Sequence, residues 1–216
     1  MTTVPDHWSM AEAVTILSTY STLYYALIKR ANLKRGESIL IHSAAGGVGQ
    51  SAINMCLNYG CDIYVTVGTE EKKQFLVKEY NIPVNRIFNS RDILFKNQIM
   101  DATNGKGVDI VINSLSGEKL DASYECVANS GRFVEIGKYD MFQNRKVGMF
   151  DFLRDIQFIG VAFDSAFMKD PELLNEFYDW MHKNCTNGCV KPINYTVFNA
   201  SEAEKAFRFM TTGSGK

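Results

Sequence analysis

The stretch Ser38-Ile-Leu-Ile-His42, running straight into Ser43-Ala-Ala-Gly-Gly-Val-Gly49, decides the fold of this 216-residue chain. Its first half is short, β-branched and preceded by Gly36, which reads as a strand. Its second half is a run of small residues that opens a helical pattern reaching about Tyr59. A strand, a glycine loop and a helix in that order aim the free N–H groups of the helix start, and the positive end of its dipole, at an anion. Gly46, Gly47 and Gly49 let the backbone approach a diphosphate, while Ala44 replaces the first glycine of the usual Gly-x-Gly-x-x-Gly pattern.

Working outward, the same alternation repeats. Strands are predicted at 63–67, 86–89, 108–113, 132–136 and 157–161, with helices at 70–80, 95–103, 119–127 and a short one at 149–154. Six near-continuously apolar strands separated by helices predict a parallel sheet covered on both faces, an α/β doubly wound fold. Upstream, Ser9-Met-Ala-Glu12 is a capping box that opens a helix expected to reach about Lys29. Downstream, Asp170-Pro171 starts a helix towards Lys183, residues 190–198 read as a strand or extended arm, and Ser201-Glu-Ala-Glu204 opens a last helix to about Met210. The expected division is a hinge helix at 1–35, a cofactor-binding core at 36–165, and C-terminal helices with an arm at 166–216.

Composition excludes several classes. The chain is 46% hydrophobic and 22% charged, ordinary for a globular domain, and its net charge of −1 offers no basic field for nucleic acid. The longest apolar-leaning run, 13–28, is shorter than the ~20 residues of a membrane span and carries several hydroxyls. No basic stretch precedes an apolar core at the start, so no export signal is expected and a cytoplasmic location is. Five scattered cysteines fit reduced thiols, and His182, Cys185 and Cys189 lack the paired Cys-x-x-Cys elements of structural zinc, so no metal is expected. Neither a P-loop nor a Gly-x-Ser-x-Gly nucleophile motif is present.

Cofactor choice is read at the end of the second strand. NAD-preferring sites place an acidic residue there, ~20 residues past the loop, on the ribose 2′-hydroxyl. Here Gly68-Thr69 stands instead, followed by Lys72 and Lys73. A hydroxyl and cations suit a 2′-phosphate, so NADP(H) is expected over NAD(H), with Glu70 and Glu71 weakening the local positive field.

Eight further-reaching segments carry a resemblance: Val4-Pro-Asp, Tyr24-Tyr-Ala-Leu27, Ile41-His-Ser-Ala-Ala-Gly-Gly-Val-Gly-Gln50, Val67-Gly-Thr-Glu-Glu-Lys72, Asn89-Ser-Arg-Asp92, Gly107-Val-Asp, Asn113-Ser-Leu115 and Gly131-Arg-Phe-Val-Glu-Ile-Gly-Lys138. With them the chain resembles the medium-chain dehydrogenase/reductase superfamily, and within it the enoyl reductase domain of animal type I fatty acid synthase. The resemblance implies a Rossmann domain and an oxidoreductase that uses NADPH to reduce a trans-2-enoyl thioester on acyl carrier protein. It implies a multifunctional, homodimeric, cytoplasmic enzyme of fatty acid biosynthesis whose other domains lie in the parent chain. It also implies proton donation by Lys138 or Asp164. The cofactor contacts it implies are Ala45, Gly46, Gly47, Val48 and Gly49 in the loop, Thr69, Lys72 and Arg91 at the adenosine phosphate, Asn113 and Ser114 near the nicotinamide ribose, Gly137, and Thr22 near the nicotinamide ring.

The family adds a substrate domain before and after this region, so the chain is expected to be an excised cofactor part, inactive alone. A free-standing quinone oxidoreductase, whose glycine loop is nearly the same, and a non-catalytic NADPH-binding or dimerisation module are the alternatives.

Overall fold

Apolar β-branched runs become the strands β1 (Ser38–Ile41), β2 (Asp62–Val67), β3 (Ile87–Asn89), β4 (Val108–Asn113), β5 (Val127–Glu135) and β6 (Gln157–Gly160) of a computed structural model that describes residues 4–211. They form one parallel sheet in the order β3-β2-β1-β4-β5-β6. The order turns back on itself between β1 and β4, and such a switch point opens a crevice beyond the carboxyl ends of those strands.

The helices are α1 (Met10–Ala13), α2 (Leu17–Leu23), α3 (Gly47–Asn58), α4 (Glu70–Tyr80), α5 (Phe95–Ala102), α6 (Glu118–Glu125), α7 (Tyr139–Phe142), α8 (Phe163–Lys169), α9 (Pro171–Asn184) and α10 (Ala203–Thr211). Alternate strand residues feed two cores. Ile39, Ile41, Ile110 and Ile112 pack with α2, α3 and Phe177 of α9, whereas Leu40, Val111 and Phe133 pack with Phe95, Ile99 and Leu120. Each fully buried side chain of this size contributes about 1.5–3 kcal/mol relative to exposure. The doubly wound sheet is therefore held from both faces.

Several boundaries differ from the sequence expectation. The opening helix is interrupted after α1, where the Thr15 hydroxyl donates to the Glu12 carbonyl at 2.7 Å and competes with the helix ladder. It resumes as α2 and widens into a π-helical segment, Tyr24–Arg30, closed by Ala31 N–H on Ala26 O at 2.9 Å. The last capping box is Asn199 with Glu202, not Ser201 with Glu204, whose carboxylate pairs with Arg208 instead. Residues 190–198 are an extended arm without strand pairing. Helix α8 was not anticipated, and it takes Asp164 into its first turn rather than a loop.

Candidate functional site

The turn from β1 into α3 is built for close approach. Ser43 adopts φ 53°, which swings the chain so that Ala44 N–H donates to Thr66 O at 3.1 Å and Gly46 becomes the N-cap of α3. A Cβ on Gly49 would lie 2.5 Å from Ala44 Cα, so only glycine lets this helix sit so tightly on its own loop. The amides of Gly47, Val48 and Gly49 are the first of α3, where no carbonyl waits one turn back. Buried Gln50 braces the loop from below: its amide donates to Ala45 O at 2.9 Å, and its oxygen accepts from Tyr80 OH and Asn194 N–H, each at 3.2 Å. Beside it, His42 is buried against Phe95 with Nδ1 2.8 Å from the Thr66 hydroxyl, and burial pushes its imidazole down to about 3.

A crevice of about 300 Å³ opens over this turn, lined among others by Ser43, Gly46, Gly68, Lys72, Arg91 and Lys119. Ala45, Gly46, Lys72 and Arg91 are thus brought together from three separate stretches of sequence. Arg91 is aimed there by its own turn: its N–H donates to Asn89 Oδ1 at 2.9 Å and its Nε to Gly68 O at 3.3 Å. Thr69 sits next door as the N-cap of α4, its hydroxyl accepting from Lys72 N–H at 3.3 Å. Lys119, in the first turn of α6, is a third cation of the crevice that sequence reading missed; nothing in its local pattern distinguishes it from a solvated helix lysine.

The crevice reaches Leu115 after β4; the turns after β5 and β6 follow it along the carboxyl edge of the sheet and do not line it. Asn113 and Glu135 are register partners at the ends of β4 and β5, and Asn113 Nδ2 donates to Glu135 Oε2 at 2.5 Å. Burial pushes the Glu135 carboxyl up to about 7, against hydrogen bonds from Asn113 and Gly137 N–H that hold it down. Ser114 reaches Ser43 across the switch point, hydroxyl to hydroxyl at 3.3 Å. Lys138 Nζ meets Asp164 Oδ2 at 3.1 Å, so the two residues proposed for proton donation form one half-exposed pair. Thr22 is buried in α2 with its hydroxyl donating to Ser18 O at 2.9 Å, and it does not line the crevice.

Residues 47–182 match the family described as zinc-binding dehydrogenase. The chain belongs to that family. Within this dehydrogenase family it is similar to reducing polyketide synthases of fungi: 41% identical over 211 residues to rads1 of Floropilus chiversii, and 42% identical over 217 residues to hmp8 of Hypomyces subiculosus. Those matches cover 97% and 99% of this chain but 9% of each synthase, so the chain spans less than a tenth of their length.

Among solved structures it resembles the CurK enoyl reductase (TM-score 0.86, 32% identity, 98% of this chain and 62% of that one). It also resembles the nucleotide-binding subdomain of the enoylreductase domain of PpsC from Mycobacterium tuberculosis (TM-score 0.74, 30% identity, 81% and 96%). The solved structures it resembles are thus parts of enoyl reductases, and the one it spans almost fully is a nucleotide-binding subdomain. The chain's relatives here are polyketide synthases, where the sequence motifs had pointed to animal fatty acid synthase. Those motifs lie at the glycine loop, the cation cluster and the Lys138 turn.

The family's description notwithstanding, no group of three or more His, Cys, Asp or Glu among the described residues is placed to hold a metal ion, so the residues present do not fit zinc. No helix among them is long and apolar enough to cross a membrane.

Proposed function

We propose that this chain is the NADPH-holding part of an enoyl-thioester reductase within a reducing synthase. The single observation that carries the cofactor choice is the far end of the crevice, where Gly68 and the cations Lys72 and Arg91 stand in place of a ribose-binding carboxylate. In this reading the first amides of α3 take the diphosphate, and Lys72, Arg91 and the Thr69 turn take the 2′-phosphate.

Bound NADPH supplies a hydride to the β-carbon of the enoyl thioester. The chain's own residues do the rest. Asn113, Ser114 and Gly137 hold the nicotinamide side, and Thr22 backs it from α2. Lys138 and Asp164 hold the proton destined for the α-carbon, and the Lys138 ammonium offsets negative charge developing on the thioester oxygen. Residues 36–165 form the cofactor core, with the flanking helix and arm leading to a substrate domain.

The enoyl group arrives on acyl carrier protein from other domains of the parent chain, in the cytoplasm; the matching fungal synthases, of which this chain spans 9%, support further domains in the parent chain. A homodimer is supported by the exposed Phe142, Phe150 and Leu153, which precede the edge strand β6. NADPH is expected to raise Tm more than NADH does, since a ligand of the folded state stabilises by mass action. In the parent enzyme crotonyl thioester is expected to consume NADPH, while quinones do so poorly. Equal shifts with both cofactors, or a preference for quinones, would overturn the reading.

A further inference from the structure

The Glu135 side chain is gripped from two sides. Its carboxylate is 2% exposed at the last position of β5. One oxygen, Oε2, accepts from Asn113 Nδ2 at 2.5 Å; the other, Oε1, accepts from Gly137 N–H at 2.6 Å. Asn113 in turn closes the turn that follows it, donating to Leu115 O at 2.8 Å and accepting from Leu115 N–H at 3.2 Å. The main chain reinforces the same junction, with Ile136 N–H on Asn113 O and Val161 N–H on Glu135 O, each at 3.0 Å. A Cβ on Gly137 would lie 2.7 Å from Glu135 Oε1, so the residue before Lys138 leaves room for the carboxylate and little else.

We propose that Glu135 is a positioning residue whose two oxygens lock the Asn113 side chain and the Gly137 amide, and thereby fix Ser114 and Lys138 relative to each other on the nicotinamide side. The proposal rests on the reductase reading above. A residue that only filled space would be apolar here, because an ionisable group out of water is costly unless its partners are specific. Both partners of this one lie on turns that present assigned site residues. The grip requires two acceptor oxygens, which the carboxyl supplies in its ionised form as pH rises through about 7. The two donors face different oxygens, so the amide of a glutamine must turn its NH₂ towards one of them, and an aspartate is a methylene too short to hold both.

The test compares wild-type parent enzyme with Glu135→Gln, using crotonyl thioester as substrate and 2′,5′-ADP as a probe of the adenosine half alone. We expect kcat to fall about ten- to a hundredfold, the scale of a misplaced reacting group. The Kd of 2′,5′-ADP is expected to stay within about twofold, because that half of the crevice is separate from the junction. If Glu135→Gln does not fold, Glu135→Asp gives the same two readouts. An unchanged kcat, or a loss of 2′,5′-ADP affinity as large as the loss of kcat, overturns the positioning role. A wild-type enzyme that binds no 2′,5′-ADP and oxidises no NADPH refutes the reductase reading itself, and the proposal with it.

Discussion

The Lys138 ammonium lies 3.1 Å from the Asp164 carboxylate, although one residue follows β5 and the other sits in the first turn of α8. Both side chains are half-exposed, and ion pairs of that kind add about 1 kcal/mol or less to stability. Lys138→Ala and Asp164→Ala are therefore expected to leave Tm within about 4 °C of wild type. Turnover of an enoyl thioester should fall about 10²-fold in each, the scale of a lost proton donor. The double variant should lose less than the two single losses combined, since the pair acts as a unit. Full activity in both single variants would remove the pair from the chemistry.

Arg91 reaches the crevice over Gly68, whose carbonyl it touches at 3.3 Å. Arg91→Ala is expected to weaken NADPH about ten- to a hundredfold, the worth of a charge-assisted contact to phosphate, while NADH changes little. Titration calorimetry with both cofactors checks this. A loss shared equally between them would mean that Arg91 shapes the turn after β3 rather than reading the 2′-phosphate.

Two glycines of the loop should respond differently to alanine. At Gly49 the new methyl meets the main chain of Ala44 at 2.5 Å, with no side chain free to yield. At Gly47 it meets the tips of Ile193 and Thr19 at 3.2 and 3.3 Å. Gly49→Ala is expected to cost about 1–3 kcal/mol in urea unfolding and to abolish NADPH binding, with Gly47→Ala clearly milder. The reverse ranking would contradict the packing of α3 on its loop.

Two buried groups bend stability with pH in opposite senses. Glu135, raised by burial to about 7 with Asp140 adding to the effect, keeps in the native state a proton that the unfolded chain releases from 4.5. Its stabilising share is whole below pH 4.5 and is lost as pH rises through 7. His42, lowered by burial to about 3, refuses in the native state a proton that the unfolded chain takes up below 6.5. Its share is whole above pH 6.5 and is lost as pH falls. Between 4.5 and 6.5 the two slopes oppose and cancel. Glu135→Gln should unmask the His42 slope, so that stability drops on acidification at up to about 1.4 kcal/mol per pH unit. Urea midpoints at pH 4.5 and 6.5 that move together in variant and wild type would count against it.

Strands and glycine loop were legible because their signals are local: β-branched runs such as Ile39 to Ile41, and small residues at 44–49. Where two local signals compete, tertiary context chooses. Asn199 and Ser201 each precede a glutamate by three positions, and only the first pair caps the helix. Thr15 lies inside an apolar helical pattern, yet its hydroxyl takes the Glu12 carbonyl and also accepts from Ile193 N–H of the distant arm at 3.3 Å. Glu135 was visible within a motif but had no legible partner, because Asn113 comes beside it only through the β4–β5 register. Lys119 is hidden for the same reason.

The Gln50 side chain joins three things at once: the glycine loop at Ala45, the end of α4 at Tyr80, and the arm at Asn194. Tightening any one of them tightens the others, and thermodynamic linkage makes that coupling reciprocal. An occupied crevice should therefore slow amide hydrogen exchange along residues 191–194 even though they do not line it. Cutting the arm with a protease should, conversely, loosen the hold on the diphosphate.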